Sequence, residues 1–119
     1  MEKNDFIHLF NSIDRMDANE FASYLNEDAW LRFANLPTVQ GKENIKDFID
    51  NFFKSIGGIR HDGLEIWQLP DVTFVNGKVT YTRKNGTDLS VYFSNTFKMK
   101  DGKINEYLIH VDNSLLYSE

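Results

Sequence analysis

Residues 88–111 read DLSVYFSNTFKMKDGKINEYLIHV, and the alternation in this stretch decides the fold. Leu89, Val91, Phe93, Asn95, Phe97 and Met99 recur at every second position, so an extended chain turns all of them to one side. Five of these six are apolar. Asp101-Gly102 then signals a hairpin. A two-residue loop there sets Phe97 against Glu106 and Phe93 against His110, which puts apolar opposite polar. A three-residue loop over Lys100, Asp101 and Gly102 pairs Phe97 with Asn105, Asn95 with Tyr107, Phe93 with Ile109 and Val91 with Val111, and keeps one face apolar. The three-residue loop is the expectation.

Working back toward the amino end, Asn85-Gly86 and Asn76-Gly77 are two further hairpin signals. With Asp101-Gly102 they divide the second half into a four-stranded antiparallel meander. A three-residue loop over Lys84, Asn85 and Gly86 pairs Tyr81 with Leu89 and Val79 with Val91, extending the apolar face over three strands. Pro70 predicts a kink or bulge between Trp67 and Val72, because proline cannot donate to a sheet ladder.

The first half has the other period. Phe6, Leu9, Phe10, Ile13 and Met16 recur at three- and four-residue spacing, behind Asn4 or Asp5 as a cap. Asp17 and Glu20 form a capping-box pair that opens a short second helix carrying Phe21, Tyr24 and Leu25. Residues 29–33 read as a first strand, and Pro37 and Gly41 mark a loop. A third helix carries Ile45, Phe48, Ile49, Phe52, Phe53 and Ile56 and stops at Gly57-Gly58. The fold class is α+β, one domain over residues 1–119, with three N-terminal helices on a curved, mostly antiparallel sheet that encloses a small apolar pocket.

Composition narrows the function classes. The 119 residues suit a single core, and ten Phe make that core aromatic. A net charge of −5 without a basic stripe argues against nucleic acid as a partner. No apolar run reaches membrane-spanning length, and Met1 to Phe6 carry no signal-like apolar stretch, so a cytoplasmic protein that uses no membrane is expected. Having no Cys excludes disulfides and thiolate chemistry. His8, His61 and His110 show no metal-ligand spacing, so neither a metal nor a cofactor is expected.

Asn95 is the one polar break in the apolar face, and a buried amide demands partners. It either bonds a neighbour or a water, or it orients a ligand in a pocket. The expected wall is Phe10, Phe33, Trp67, Tyr81, Phe93, Asn95, Phe97, Tyr107 and Ile109, around a small hydrophobic or cyclic molecule. No base stands on that face in the expected register, so an enzyme needs His61 or Asp112 turned inward, with Asn95 as donor to a carbonyl. His61 is either a partly exposed strand residue or a group at the pocket mouth. His110 and Asp112 share the opposite face. There Tyr92, Ser94 and Thr96 beside Leu108 and His110 suggest a homodimer packed sheet on sheet, the alternative being a two-sided sheet with neutral residues on its outer face. A non-catalytic dimerisation module with a filled interior is the third reading.

The stretches FFKSIGGIRHDGLEIW (52–67), VTYTRKNG (79–86) and FSNTFKMKDGKINEYLIHVDNSLLY (93–117), with the order of three helices, an early strand and a meander, resemble the SnoaL-like branch of the nuclear-transport-factor-2-like superfamily. The resemblance covers nearly the whole chain. It implies a cone-shaped α+β barrel, a pocket between the first helix, the third helix and the concave sheet, and a homodimer through the convex sheet face. Steroid isomerases of that superfamily use a helix tyrosine, a strand carboxylate and a strand acid; those places fall at Leu9, Phe33 and Asn95. Its polyketide cyclases use a histidine and an aspartate, at the places of Asn95 and Ile109. By resemblance, neither set of acid–base residues is present.

Overall fold

The computed structural model describes residues 1–117. Helix α1 (Lys3–Asp14) buries the stripe Phe6, Leu9, Phe10 and Ile13. Its cap is Glu2, two or three residues earlier than expected from Asn4 or Asp5: Asp5 sits at the third helical position and accepts from the Glu2 backbone N–H at 2.7 Å. Helix α2 (Ala18–Ala22) starts as expected, with the Asp17 carboxylate accepting from the Glu20 N–H at 3.0 Å. It is shorter than its apolar residues suggested. Leu25 already opens strand β1 (Leu25–Phe33), whose pairing along the sheet outweighs a further helical turn.

A two-residue strand β2 (Val39–Gln40) precedes helix α3 (Lys42–Lys54). Four long strands follow: β3 (Gly58–Gln68), β4 (Val72–Thr82), β5 (Asp88–Lys100) and β6 (Lys103–Val111). The sheet order is β2-β1-β6-β5-β4-β3. Among the described residues, only β1 against β6 is parallel. The sheet is curled and unclosed, α1 lies against β3, and α3 lies against β1. The core fills the concave side.

Three local readings are corrected. Asn76-Gly77 is not a turn but lies within β4; the chain reverses at Leu69–Asp71, where the Leu69 N–H donates to the Val72 carbonyl at 2.8 Å. Pro70 therefore belongs to a turn rather than to a kinked strand, a place where its missing N–H costs nothing. The loop at Asp101-Gly102 has two residues, not three, because Asp101 (φ 53°) and Gly102 (φ 78°) both adopt the left-handed conformation of a type I′ turn. A bulge at Asn105 then shifts the ladder, so that Phe97 pairs with Tyr107, Asn95 with Ile109 and Phe93 with Val111. The shift from the expected register is two residues, an even number, so the same side chains still face inward. Between β4 and β5 the expected register holds, with Tyr81 opposite Leu89 and Val79 opposite Val91.

Candidate functional site

The concave face and the helices leave a cavity of about 40 Å³. Phe33 of β1, Phe52 of α3, Tyr81 of β4, Phe93 and Asn95 of β5, and Tyr107 and Ile109 of β6 border it, as does His61 of β3. Among the described residues, no Lys, Arg, Asp or Glu borders it. An ordered water occupies roughly 10–15 Å³ of such space, whereas an apolar cavity of about 150 Å³ accepts benzene. A cavity of this size thus suits a few waters, and a ring must push wall residues outward. Phe52, Ile59 and Ile109 are the partly buried apolar residues of the wall.

Three residues expected on the wall lie elsewhere. Phe10 and Phe97 are buried beside the cavity in the aromatic packing that fills the rest of the cone: Phe97 meets Phe6 at 5.0 Å and Tyr107 at 4.4 Å between ring centroids. Trp67 is 49% exposed. The reason is a bulge in β3 between Asp62 and Glu65, with Gly63 at φ +63°. The bulge interrupts the alternation, so that Ile66 faces in and Trp67 faces out opposite Phe74. Asp112 lies beyond the end of β6, fully exposed, and Ser114 holds its carboxyl below the usual range through its side chain first and then its backbone N–H at 3.1 Å. It is not turned inward.

His61 is on the inner face. It pairs with Val79 in the ladder, its side chain is 8% exposed, and its ring lies edge-on between Phe10 (4.9 Å) and Phe93 (5.2 Å). Its Nδ1 is 2.6 Å from Oδ1 of Asp14, the last residue of α1, and its backbone N–H also reaches that carboxylate at 3.2 Å. A carboxylate only accepts, so Asp14 fixes the ring proton on Nδ1 and leaves a lone pair on Nε2 when the imidazole is neutral. This is how an orienting acid prepares a histidine base. Asp14 escaped the reading of the sequence, yet it left a signal. It stands four residues after Phe10, hence on the same helix flank, and a carboxylate at a helix C-terminus opposes the macrodipole unless something answers it.

Asn95 is 3% exposed and its Oδ1 has no hydrogen-bond partner. The phenols of Tyr81 and Tyr107 are pushed up above the ordinary tyrosine range, chiefly by burial and for Tyr81 also by Tyr117, so both keep their protons at neutral pH. The wall therefore combines one oriented imidazole, two protonated phenols and one unfilled amide. Among the described residues, no group of His, Asp and Glu is arranged to hold a metal ion, and no helix is long and apolar enough to cross a membrane.

Residues 5–107 match the SnoaL-like domain. The chain belongs to the SnoaL-like domain family. Several solved structures share the fold at low identity. An NTF2-like protein of unknown function from Burkholderia pseudomallei superposes with a TM-score of 0.87 at 18% identity, over 99% of this chain and 100% of that one. A candidate polyketide cyclase from Xanthomonas campestris pv. campestris gives 0.85 at 13%, over 92% and 88%. A protein with a ketosteroid isomerase-like fold from Catenulispora acidiphila, solved with trimethylamine, gives 0.83 at 12%, over 92% and 86%. No curated protein matches the chain.

Proposed function

We propose that the protein transfers protons on a small, largely apolar carbonyl compound held in the cone, with His61 as the base and Asp14 as the residue that orients it. One observation carries this reading: a histidine whose Nδ1 is committed to a carboxylate at 2.6 Å lies on the wall of the only apolar cavity described that also holds an unfilled amide. Nε2 takes a proton from the carbon next to the carbonyl, the C–H electrons form the enolate, and Asp14 stabilises the imidazolium. A protonated phenol of the wall, Tyr81 or Tyr107, donates to the developing oxyanion. Returning the proton to another carbon completes an isomerisation; attack of the enolate on a second carbonyl of the same molecule forms the C–C bond, and the new alkoxide takes the proton back from Nε2 to complete a cyclisation. Imidazole does this without metal or cofactor, and such a base contributes typically about 10²–10⁴-fold. The family resemblance to cyclase and isomerase folds is consistent with this chemistry, although the residues differ from those at Phe33 and Ile109 that the resemblance pointed to.

A crystal soaked with cyclopentanone tests the site. We expect the ketone inside the cone, with a carbon next to the carbonyl in van der Waals contact with Nε2 of His61. Ketone bound only on the outer sheet face, or His61 turned away from it, overturns the proposal.

The second reading, a binding protein without chemistry, keeps the cavity and drops the role of His61. In both readings we propose a cytoplasmic homodimer joined through the outer sheet face, where Tyr92 is 83% exposed and Trp67 and Phe74 form an exposed cross-strand pair. That apolar and aromatic content is more than a solvated face needs.

A further inference from the structure

We infer that the molecule taken into the cavity is uncharged and carries a hydroxyl that donates its proton to Oδ1 of Asn95. This rests on the reading of the cavity as a small-molecule site and names the class of molecule it takes.

Asn95 stands at the middle of β5 with Val75 on one side of the ladder and Ile109 on the other. Its neighbours along the same face are Phe93 and Phe97. None of these four side chains carries a donor, and neither Thr73 nor Tyr107, the diagonal neighbours on the same face that do, bonds to Oδ1, which is without a protein partner. A buried acceptor without a protein partner is met by a water or by a ligand, and a ligand that meets it keeps a hydrogen bond that a hydrocarbon displacing the water forfeits. A ligand carbonyl cannot fill it, because both groups are acceptors. A hydroxyl can.

Charge is limited by the same wall. With no Lys or Arg on it, a carboxylate or phosphate would be desolvated without a cation to meet it. His61 does not supply that cation freely, since Asp14 already sits at its Nδ1 and repels a second anion. An ammonium group finds aromatic faces but, among the described residues, no carboxylate on the wall. A neutral hydroxyl compound meets every condition, and the size of the cavity favours a compact one.

The test uses four molecules of one shape: cyclopentanol, methylcyclopentane, cyclopentanecarboxylate and cyclopentylammonium. Dissociation constants are measured by NMR titration at neutral pH on the wild type and on Asn95→Leu. On the wild type we expect cyclopentanol to bind about five- to tenfold more tightly than methylcyclopentane, the ratio one net hydrogen bond supplies. Both ions should bind at least about tenfold more weakly than the alcohol. In Asn95→Leu the preference for the alcohol should vanish. Methylcyclopentane equal to or tighter than cyclopentanol on the wild type, or either ion outranking the alcohol, overturns the inference. The wild-type ranking decides alone if Asn95→Leu does not fold. Hydrocarbon bound equally by both proteins, with no preference for the alcohol, leaves the small-molecule site standing and removes the hydroxyl. No binding by any of the four removes the site itself.

Discussion

Asp14 sits at the negative end of its own helix, where a carboxylate is least welcome, and the hydrogen bonds from the His61 ring and backbone are what hold it there. Asn95 is placed at a similar cost, since its Oδ1 is buried and unpartnered. Asn95→Leu, close in shape and free of polar atoms, should therefore raise stability by about 1–2 kcal/mol in urea unfolding; a loss of stability would mean the amide has a partner in the folded protein. Tyr107 gives a pH-dependent counterpart. Its folded-state pKa lies above the unfolded value of about 10, so the folded protein binds the extra proton and the stabilisation is present below pH 10. It is lost as pH rises beyond that. Thermal melts from pH 8 to 11 should show the wild type falling more steeply above pH 10 than Tyr107→Phe, and parallel curves would contradict the burial of an intact phenol. Asn95 was legible in the sequence as a break in strict alternation. The pairing of Asp14 with His61 was not, because it joins residues 47 positions apart and depends on where β3 docks against α1.

At the scale of elements, glycines explain both a misreading and a constraint. Asn76-Gly77 has the composition of a hairpin turn, but Gly77 serves close packing. A Cβ there would come within 2.9 Å of a Phe93 ring atom, 3.0 Å of a Leu64 methyl and 3.1 Å of the Asp62 carbonyl. The last of these is backbone at the β3 bulge and cannot swing aside. Gly77→Ala should cost about 1–3 kcal/mol by overpacking and should disturb Phe93 on the cavity wall. Chemical denaturation checks the first, and a changed affinity for a cavity ligand checks the second. Unchanged stability would show that the bulge relaxes. The same bulge turns Trp67 outward, and the one at Asn105 resets the register of β5 against β6. Both bulges were invisible to a count of alternating residues because each inserts a residue without altering composition. Helix stripes and the β4–β5 register, which depend on local period and a short loop, were legible.

Taken whole, the molecule is a curled sheet closed on its concave side by helices, and the order of its elements was enough to anticipate that arrangement. The volume left inside was not, since it depends on how Phe6, Phe10, Phe97 and Tyr107 interdigitate. The outer face makes its own prediction. If it joins two copies, Tyr92→Lys should shift sedimentation from dimer to monomer without lowering helix content, whereas a monomeric wild type would leave that face without a partner copy. The proposed chemistry belongs to the interior alone. Its most direct measurement is the rate at which cyclopentanone exchanges hydrogen for deuterium next to its carbonyl in heavy water, followed by NMR with wild type, His61→Gln and Asp14→Asn. Exchange accelerated by the wild type, abolished in His61→Gln and reduced in Asp14→Asn is the expected result. Equal exchange by the wild type and His61→Gln would contradict the assignment of His61 as the base.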